Sequence, residues 1–175
     1  MICCFTNNDM DKITDTIWLG NHEAATNINN LKKEGIKKVL TVIDFSVPSY
    51  SEKDEINQKV FKVIDFPTQN IIKYFGECIN FMKGNDKILV HCMGGASRSA
   101  TIVTAYIMWY KKKSYKKALD FVSKKRSCVC PNNGFREQLQ MFEKLLKDND
   151  YDLNKIDFNN IKWEAKLSND FQSYF

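Results

Sequence analysis

The stretch ILVHCMGGASRSATIV, residues 88–103, decides how the rest of the chain is interpreted. Two apolar segments enclose a cysteine, five residues of which four are small, and an arginine. The first segment, KILVH, predicts a buried strand, and the second, ATIVTAYIMWY, is apolar on nearly every side and predicts a buried helix. The sequence therefore predicts a short loop between Cys92 and Arg98 that joins the end of a strand to the start of a helix.

Such a loop suits an anion. Its backbone amides can converge on one point at the positive end of the following helix, and the glycines permit the backbone angles that this requires. The guanidinium group of Arg98 matches two oxygens of a phosphate, which a lysine could not do. We therefore expect the following residues to bind phosphate: Met93, Gly94, Gly95, Ala96, Ser97 and Arg98.

The same electrostatic field acts on Cys92. A helix N-terminus and an arginine stabilise the thiolate, which is the nucleophilic form of cysteine. The alternative is a buried structural cysteine in a strand-to-helix turn, but that alternative does not account for the paired glycines and the spaced arginine. A nucleotide-binding P-loop is excluded because its lysine is absent.

Strand-like and helix-like segments alternate along the 175 residues. This alternation predicts a single α/β domain with a central, mostly parallel mixed sheet flanked by helices. We expect an N-terminal arm over residues 1–11, a catalytic domain over residues 12–149 and a C-terminal tail over residues 150–175. The tail either packs on the domain, which we favour, or docks a partner.

The segment HCMGGASRS resembles the HCxxGxxR signature, followed by serine or threonine, of the cysteine-dependent protein tyrosine phosphatase superfamily. It is most similar to the dual-specificity branch. The resemblance extends over residues 12–147, because further segments match blocks of that family in the same order: IWLGNHEAATNINNLKKEGIKKVLTV, YFGECINFM, SATIVTAYIM and PNNGFREQLQMFE.

The resemblance implies roles for three more residues. Asp65 is expected to be the general acid, a role for which Asp44 lies too early in the chain and Asp86 lies too close to the strand before the loop. Ser99 is expected to assist the cysteine as a leaving group, and His91 to orient the loop. Asn70 is a departure, because relatives commonly have an acid there.

The implied function is hydrolysis of phosphotyrosine and phosphoserine or phosphothreonine in protein substrates, in signalling, through a cysteinyl-phosphate and without metal or cofactor. Met93 and Ala96 stand where phosphoinositide phosphatases carry lysines, so that substrate class is disfavoured. Two alternatives stay open: a non-catalytic module that binds phosphorylated residues, and a phosphatase acting on a non-protein phosphate ester.

Composition adds a few expectations. The start has no basic segment before an apolar one, and no apolar run is long enough to span a membrane, so we expect a cytoplasmic protein that could also be nuclear. The six cysteines, at positions without disulfide or zinc spacing, are expected to be free thiols. Lipidation of Cys3 and Cys4, a redox role of Cys78 and the oligomeric state stay open.

The net charge is +5, and KKKSYKKALDFVSKKR, residues 111–126, concentrates basic residues. We interpret this stretch as a solvated helix face, since apolar residues recur at helical spacing within it, and no nucleic-acid partner is expected. Docking to nucleic acid or to a membrane is the alternative.

Overall fold

The computed structural model describes residues 8–45 and 47–164. Five strands form one sheet in the order β1-β2-β5-β3-β4. Their bounds are Met10–Lys12 (β1), Ile17–Gly20 (β2), Ile36–Val42 (β3), Asn57–Phe61 (β4) and Lys87–His91 (β5). Only β1 is antiparallel to its neighbour. The predicted α/β fold with a mostly parallel mixed sheet is confirmed.

Six α-helices accompany the sheet in the described residues: His22–Thr26 (α1), Ile28–Glu34 (α2), Phe75–Met82 (α3), Arg98–Tyr110 (α4), Tyr115–Lys125 (α5) and Asn133–Asp148 (α6). Short 3-10 turns occur at Glu52–Asp54, Ile72–Tyr74, Leu153–Lys155 and Phe158–Asn160. None of the helices in this part of the chain is both long and apolar enough to cross a membrane.

The central elements are buried as their sequences predict. Strand β5 lies between β2 and β3, and its last four residues are inaccessible to solvent. Helix α4 packs against α3, α5 and α6, and most of its residues are buried. Because parallel strands end at the same edge of the sheet, the loop after β5 lies at the edge where ligands bind in such folds.

Side chains and a glycine cap several helix ends. Asn27 caps α2, which ends at Gly35 in the left-handed conformation, and the side chains of Ser114 and Asn132 cap α5 and α6. Each cap satisfies an amide that the first turn of a helix leaves without an intrahelical partner.

Three parts of the fold differ from the sequence expectation or extend it. Strand β1 and helix α1 were not predicted, because three and five residues carry little periodicity. Strand β4 begins three residues before the apolar run VFKVID, residues 60–65. Strand β1 includes Met10 and Asp11, which lie in the expected N-terminal arm, and pairs with β2 in the sheet.

The described residues after α6, up to residue 164, lie against the domain. Leu153 and Ile156 are buried in the main hydrophobic core, and the Trp163 indole donates a hydrogen bond to the carbonyl oxygen of Pro67 at 3.0 Å. Cys3 and Cys4 lie outside the described residues, as does the tail after residue 164.

Candidate active site

The loop after β5 leads directly into α4, and this places Cys92 and Ser99 together. The Ser99 hydroxyl donates a hydrogen bond to Sγ of Cys92 at 3.1 Å, and both residues are buried. A hydroxyl donor stabilises negative charge on the sulfur more than it stabilises the neutral thiol. The N-terminus of α4 adds a positive field at the same place.

The carbonyl groups of the loop are held from outside. The Met93 carbonyl oxygen accepts a hydrogen bond from the His22 backbone amide at 3.0 Å. The Gly94 and Gly95 carbonyl oxygens accept from the Arg126 guanidinium at 3.4 and 3.0 Å. The Ala96 carbonyl oxygen accepts from the Cys130 backbone amide at 2.7 Å.

These contacts determine where the amides point. In a planar trans peptide the N–H group points opposite to the carbonyl group. The amides of the four following residues, Gly94 to Ser97, therefore point to the other side of the loop, away from these partners. In addition, no side chain caps α4, because the Ser97 hydroxyl bonds elsewhere. The result is a group of convergent donors suited to an oxyanion.

Arg98 is a buried cation at the end of this loop. Its Nη1 donates to Oδ1 of Asp44 at 2.8 Å and to the Val63 carbonyl oxygen at 3.1 Å. Its Nε is buried and makes no hydrogen bond, and lies 3.6 Å from Oδ2 of Asp65. A buried guanidinium nitrogen without a hydrogen-bond acceptor is an available donor for a bound anion.

Asp65 lies above the same loop. Its Oδ1 accepts hydrogen bonds from the Ser97 hydroxyl at 2.7 Å and from the side-chain amide of Asn132 at 2.9 Å. The carboxyl group is partly exposed, and it is within reach of both the loop and solvent. The structure thus brings Asp65 together with Cys92, Arg98 and Ser99, all of which the sequence singled out.

His91 is buried behind the loop. Its Nε2 lies 2.9 Å from the Thr41 hydroxyl, and its Nδ1 lies 3.3 Å from the Cys92 carbonyl oxygen. The Thr41 hydroxyl accepts a hydrogen bond from the side-chain amide of Gln58 at 3.0 Å. A carbonyl oxygen can only accept, so the proton of a neutral ring belongs on Nδ1 and the Thr41 hydroxyl donates to Nε2. Burial lowers the pKa of His91 to about 4, and nearby His22 contributes in the same direction.

Sequence reasoning missed two residues of this site. Asp44 was considered only as a proton donor, whereas it pairs with Arg98. Arg126 was assigned to the basic surface, but it is 1% exposed and also pairs with Asp11 at 2.7 Å. A signal for Arg126 was present, since it continues the buried positions Ala118 and Val122 at intervals of four residues.

The remaining cysteines differ in their surroundings. Cys78 lies in the main core on α3, and burial raises the pKa of its thiol, which favours the unreactive protonated form. Cys128 is buried beside the Gly95 carbonyl group. Within residues 8–45 and 47–164, no group of three or more histidine, cysteine or acidic residues is arranged to hold a metal ion.

Comparison with known proteins agrees with this geometry. The family model described as the dual specificity phosphatase catalytic domain matches residues 17–145. Dual specificity protein phosphatase 1B of Arabidopsis thaliana is 37% identical over 145 residues, covering 81% of this chain and 86% of that protein. Human dual specificity protein phosphatase 22 is 36% identical over 141 residues, covering 78% of this chain and 75% of that protein.

A solved structure extends the comparison to the fold. The human tyrosine phosphatase-like serine/threonine/tyrosine-interacting protein is 32% identical with a TM-score of 0.74, covering 79% of this chain and 97% of that one.

Proposed function

Since the chain belongs to the dual specificity phosphatase family and is a cysteine-dependent protein phosphatase, we propose that Cys92, Arg98, Asp65 and Ser99 are its catalytic residues. The observation that carries this assignment is the Cys92–Arg98 loop, whose carbonyl groups are held outward around the thiol. Such a loop binds a phosphate with backbone donors and holds a nucleophile beside it.

In the first step the Cys92 thiolate attacks phosphorus, and a bond forms between sulfur and phosphorus. The bond from phosphorus to the leaving oxygen breaks, and Asp65 supplies the proton that this oxygen needs. Arg98 and the loop amides stabilise the charge on the other three phosphate oxygens. The Nε of Arg98, which makes no hydrogen bond, supports its part in this step.

In the second step water attacks the thiophosphate while Asp65, now a carboxylate, accepts a proton from it. The sulfur–phosphorus bond breaks and the electron pair returns to sulfur. The Ser99 hydroxyl stabilises the departing thiolate, a role supported by the 3.1 Å contact between the two groups. Inorganic phosphate leaves, and the enzyme returns to its starting state.

The substrates in this proposal are proteins that carry phosphotyrosine or phosphoserine and phosphothreonine. Met93 and Ala96 support protein substrates over inositides, since neither supplies a cation for additional phosphates. We further propose a signalling role in the cytoplasm or nucleus. The location is supported by free thiols that are not joined in disulfides, namely those of Cys78, Cys92 and Cys128.

Turnover of a small aryl phosphate in the presence of a metal chelator tests the chemistry. We expect vanadate to inhibit it and Cys92→Ser to reduce kcat by a factor on the order of 10⁴ or more, because an alcohol has no comparable anion at neutral pH. Undiminished activity of the correctly folded Cys92→Ser variant would exclude this mechanism.

The general acid is tested separately. Asp65→Asn is expected to lower kcat by roughly 10²–10⁴-fold. The reduction should be largest with a poor leaving group, because such a group depends most on protonation. Asp120→Asn, on the exposed face of α5, is the matched control and should retain full activity.

A further inference from the structure

Large apolar side chains are exposed around the opening of the active site. Phe45, Ile64, Phe66 and Met93, which we call the apolar rim, have exposed fractions of 49, 56, 50 and 43%. Single exposed apolar residues are ordinary on a protein surface, but a group of four around one opening indicates a binding surface.

The segments that carry two of the rim residues meet at Arg98. Its Nη1 contacts both the Asp44 carboxylate and the Val63 carbonyl oxygen. The segments that carry these groups therefore come together at the guanidinium group, and the next residues along them are Phe45 and Ile64. The two side chains are consequently close to the position that a phosphate would occupy.

Phe66 is held next to them by the turn that carries Asp65. The Phe66 amide donates to the Ile64 carbonyl oxygen at 3.0 Å, and the Gln69 amide donates to the Phe66 carbonyl oxygen at 3.0 Å. Asp65 itself is tied to Ser97. Ile64 and Phe66 thus lie on either side of the expected proton donor in a segment that hydrogen bonds hold in place.

These segments carry no cation of their own. Residues 44–47 and 64–66 contain no lysine or arginine. Their two acidic residues, Asp44 and Asp65, already pair with Arg98. An acidic side chain or a second phosphate next to the reacting residue would therefore find apolar carbon on these segments rather than a cation.

We propose that the apolar rim selects phosphorylated residues that are flanked by apolar side chains in a protein segment, and disfavours acidic or doubly phosphorylated sites. This inference rests on the proposed function, since it places the phosphorylated residue in the loop of Cys92. Apolar neighbours of that residue then cover rim side chains that are otherwise exposed to water.

A lipid bilayer is a less suitable occupant. Binding to an anionic membrane relies on lysine and arginine beside the inserted apolar residues. The rim segments have none, so they offer an anionic surface no cationic contact. A neutral or apolar protein segment needs no such contact.

The test compares three phosphotyrosine peptides that differ only in the two residues on each side, which are leucine, serine or glutamate. We expect kcat/KM for the leucine peptide to exceed that for the serine peptide by about tenfold, because several apolar contacts are gained. The glutamate peptide should be the poorest substrate. The triple variant Phe45→Ser, Ile64→Ser, Phe66→Ser should bring the leucine-to-serine ratio close to one.

Met141→Ser is the matched control, since Met141 is an exposed apolar residue on α6, and it should retain the full ratio. Equal kcat/KM for the three peptides, or a ratio that the triple variant leaves unchanged, would overturn the inference. So would faster turnover of a phosphoinositide in vesicles than of the leucine peptide. Aryl phosphate turnover distinguishes a failure of the proposed function from a failure of this inference. If the protein does not hydrolyse the aryl phosphate, the proposed function is wrong as well. If it does, and kcat/KM is equal for the three peptides, only the role of the apolar rim is wrong.

Discussion

The two halves of the phosphate-binding loop have different surroundings. Met93 and Gly94 are exposed, and a side-chain carbon added at Gly94 would have no neighbour within 4 Å. Gly95 is buried with φ of +64°, and a carbon added there would lie 2.5 Å from the Gly20 carbonyl oxygen. The second half of the loop is therefore closely packed against β2 and the segment after α5, whereas Gly94 in the first half has open space beside its α-carbon.

Removal of the Arg126 charge, which holds the second half of the loop, should have the largest effect on stability. Arg126→Met leaves Asp11 and the Gly95 carbonyl group without their donor, and we expect the free energy of unfolding to fall by about 4 kcal/mol. Lys124→Met breaks an exposed ion pair two residues earlier, on α5, and should change stability by less than about 0.5 kcal/mol. Urea unfolding of both variants measures the difference; similar effects would contradict the role of Arg126.

The histidine beneath the loop makes stability depend on pH. An unfolded chain binds a proton at His91 near its usual pKa of 6.5, whereas the folded chain does so only near 4. Between these values the unfolded state holds more protons, so stability falls as pH is lowered from 6.5 to 4. The loss reaches about 3 kcal/mol and is complete below pH 4.

Urea unfolding at a series of pH values measures this effect. The His91→Asn variant should lose that part of the dependence, whereas His22→Asn should keep it. A wild-type slope that His91→Asn leaves unchanged would show that other groups cause it.

Gly95→Ala tests the close packing directly. The left-handed backbone and the contact with Gly20 would force the loop to move, at a cost of about 1–3 kcal/mol in strain alone. Because a displacement of about 1 Å at reacting groups can cost 10²-fold in rate, we expect kcat/KM with an aryl phosphate to fall by about that factor. Near-normal activity would mean that the loop can shift without loss of alignment.

The same contrast explains what could be predicted from the sequence. The strand, the loop and the buried helix of residues 87–110 follow from local signals, namely apolar runs and glycines, and helix ends elsewhere follow from capping residues such as Asn27 and Ser114. Asp44 and Arg126 depend on partners 54 and 115 residues away, and no local pattern reports such pairings. The four-residue spacing from Ala118 and Val122 indicates that Arg126 is buried, but its charge favoured the interpretation as a surface residue.

Gly94→Ala is the smallest expected change and the sharpest test of the contrast, because it alters the residue next to Gly95 by the same single methyl group. We expect the substitution to keep or raise activity. The open space around Gly94, together with a backbone angle outside the left-handed region, provides a physical reason. Alanine also restricts the unfolded chain, so stability should rise by about 0.4–1 kcal/mol with activity within about twofold. A loss as large as that of Gly95→Ala would mean that binding moves Gly94 into a conformation only glycine adopts, and that both halves of the loop are constrained once phosphate is bound.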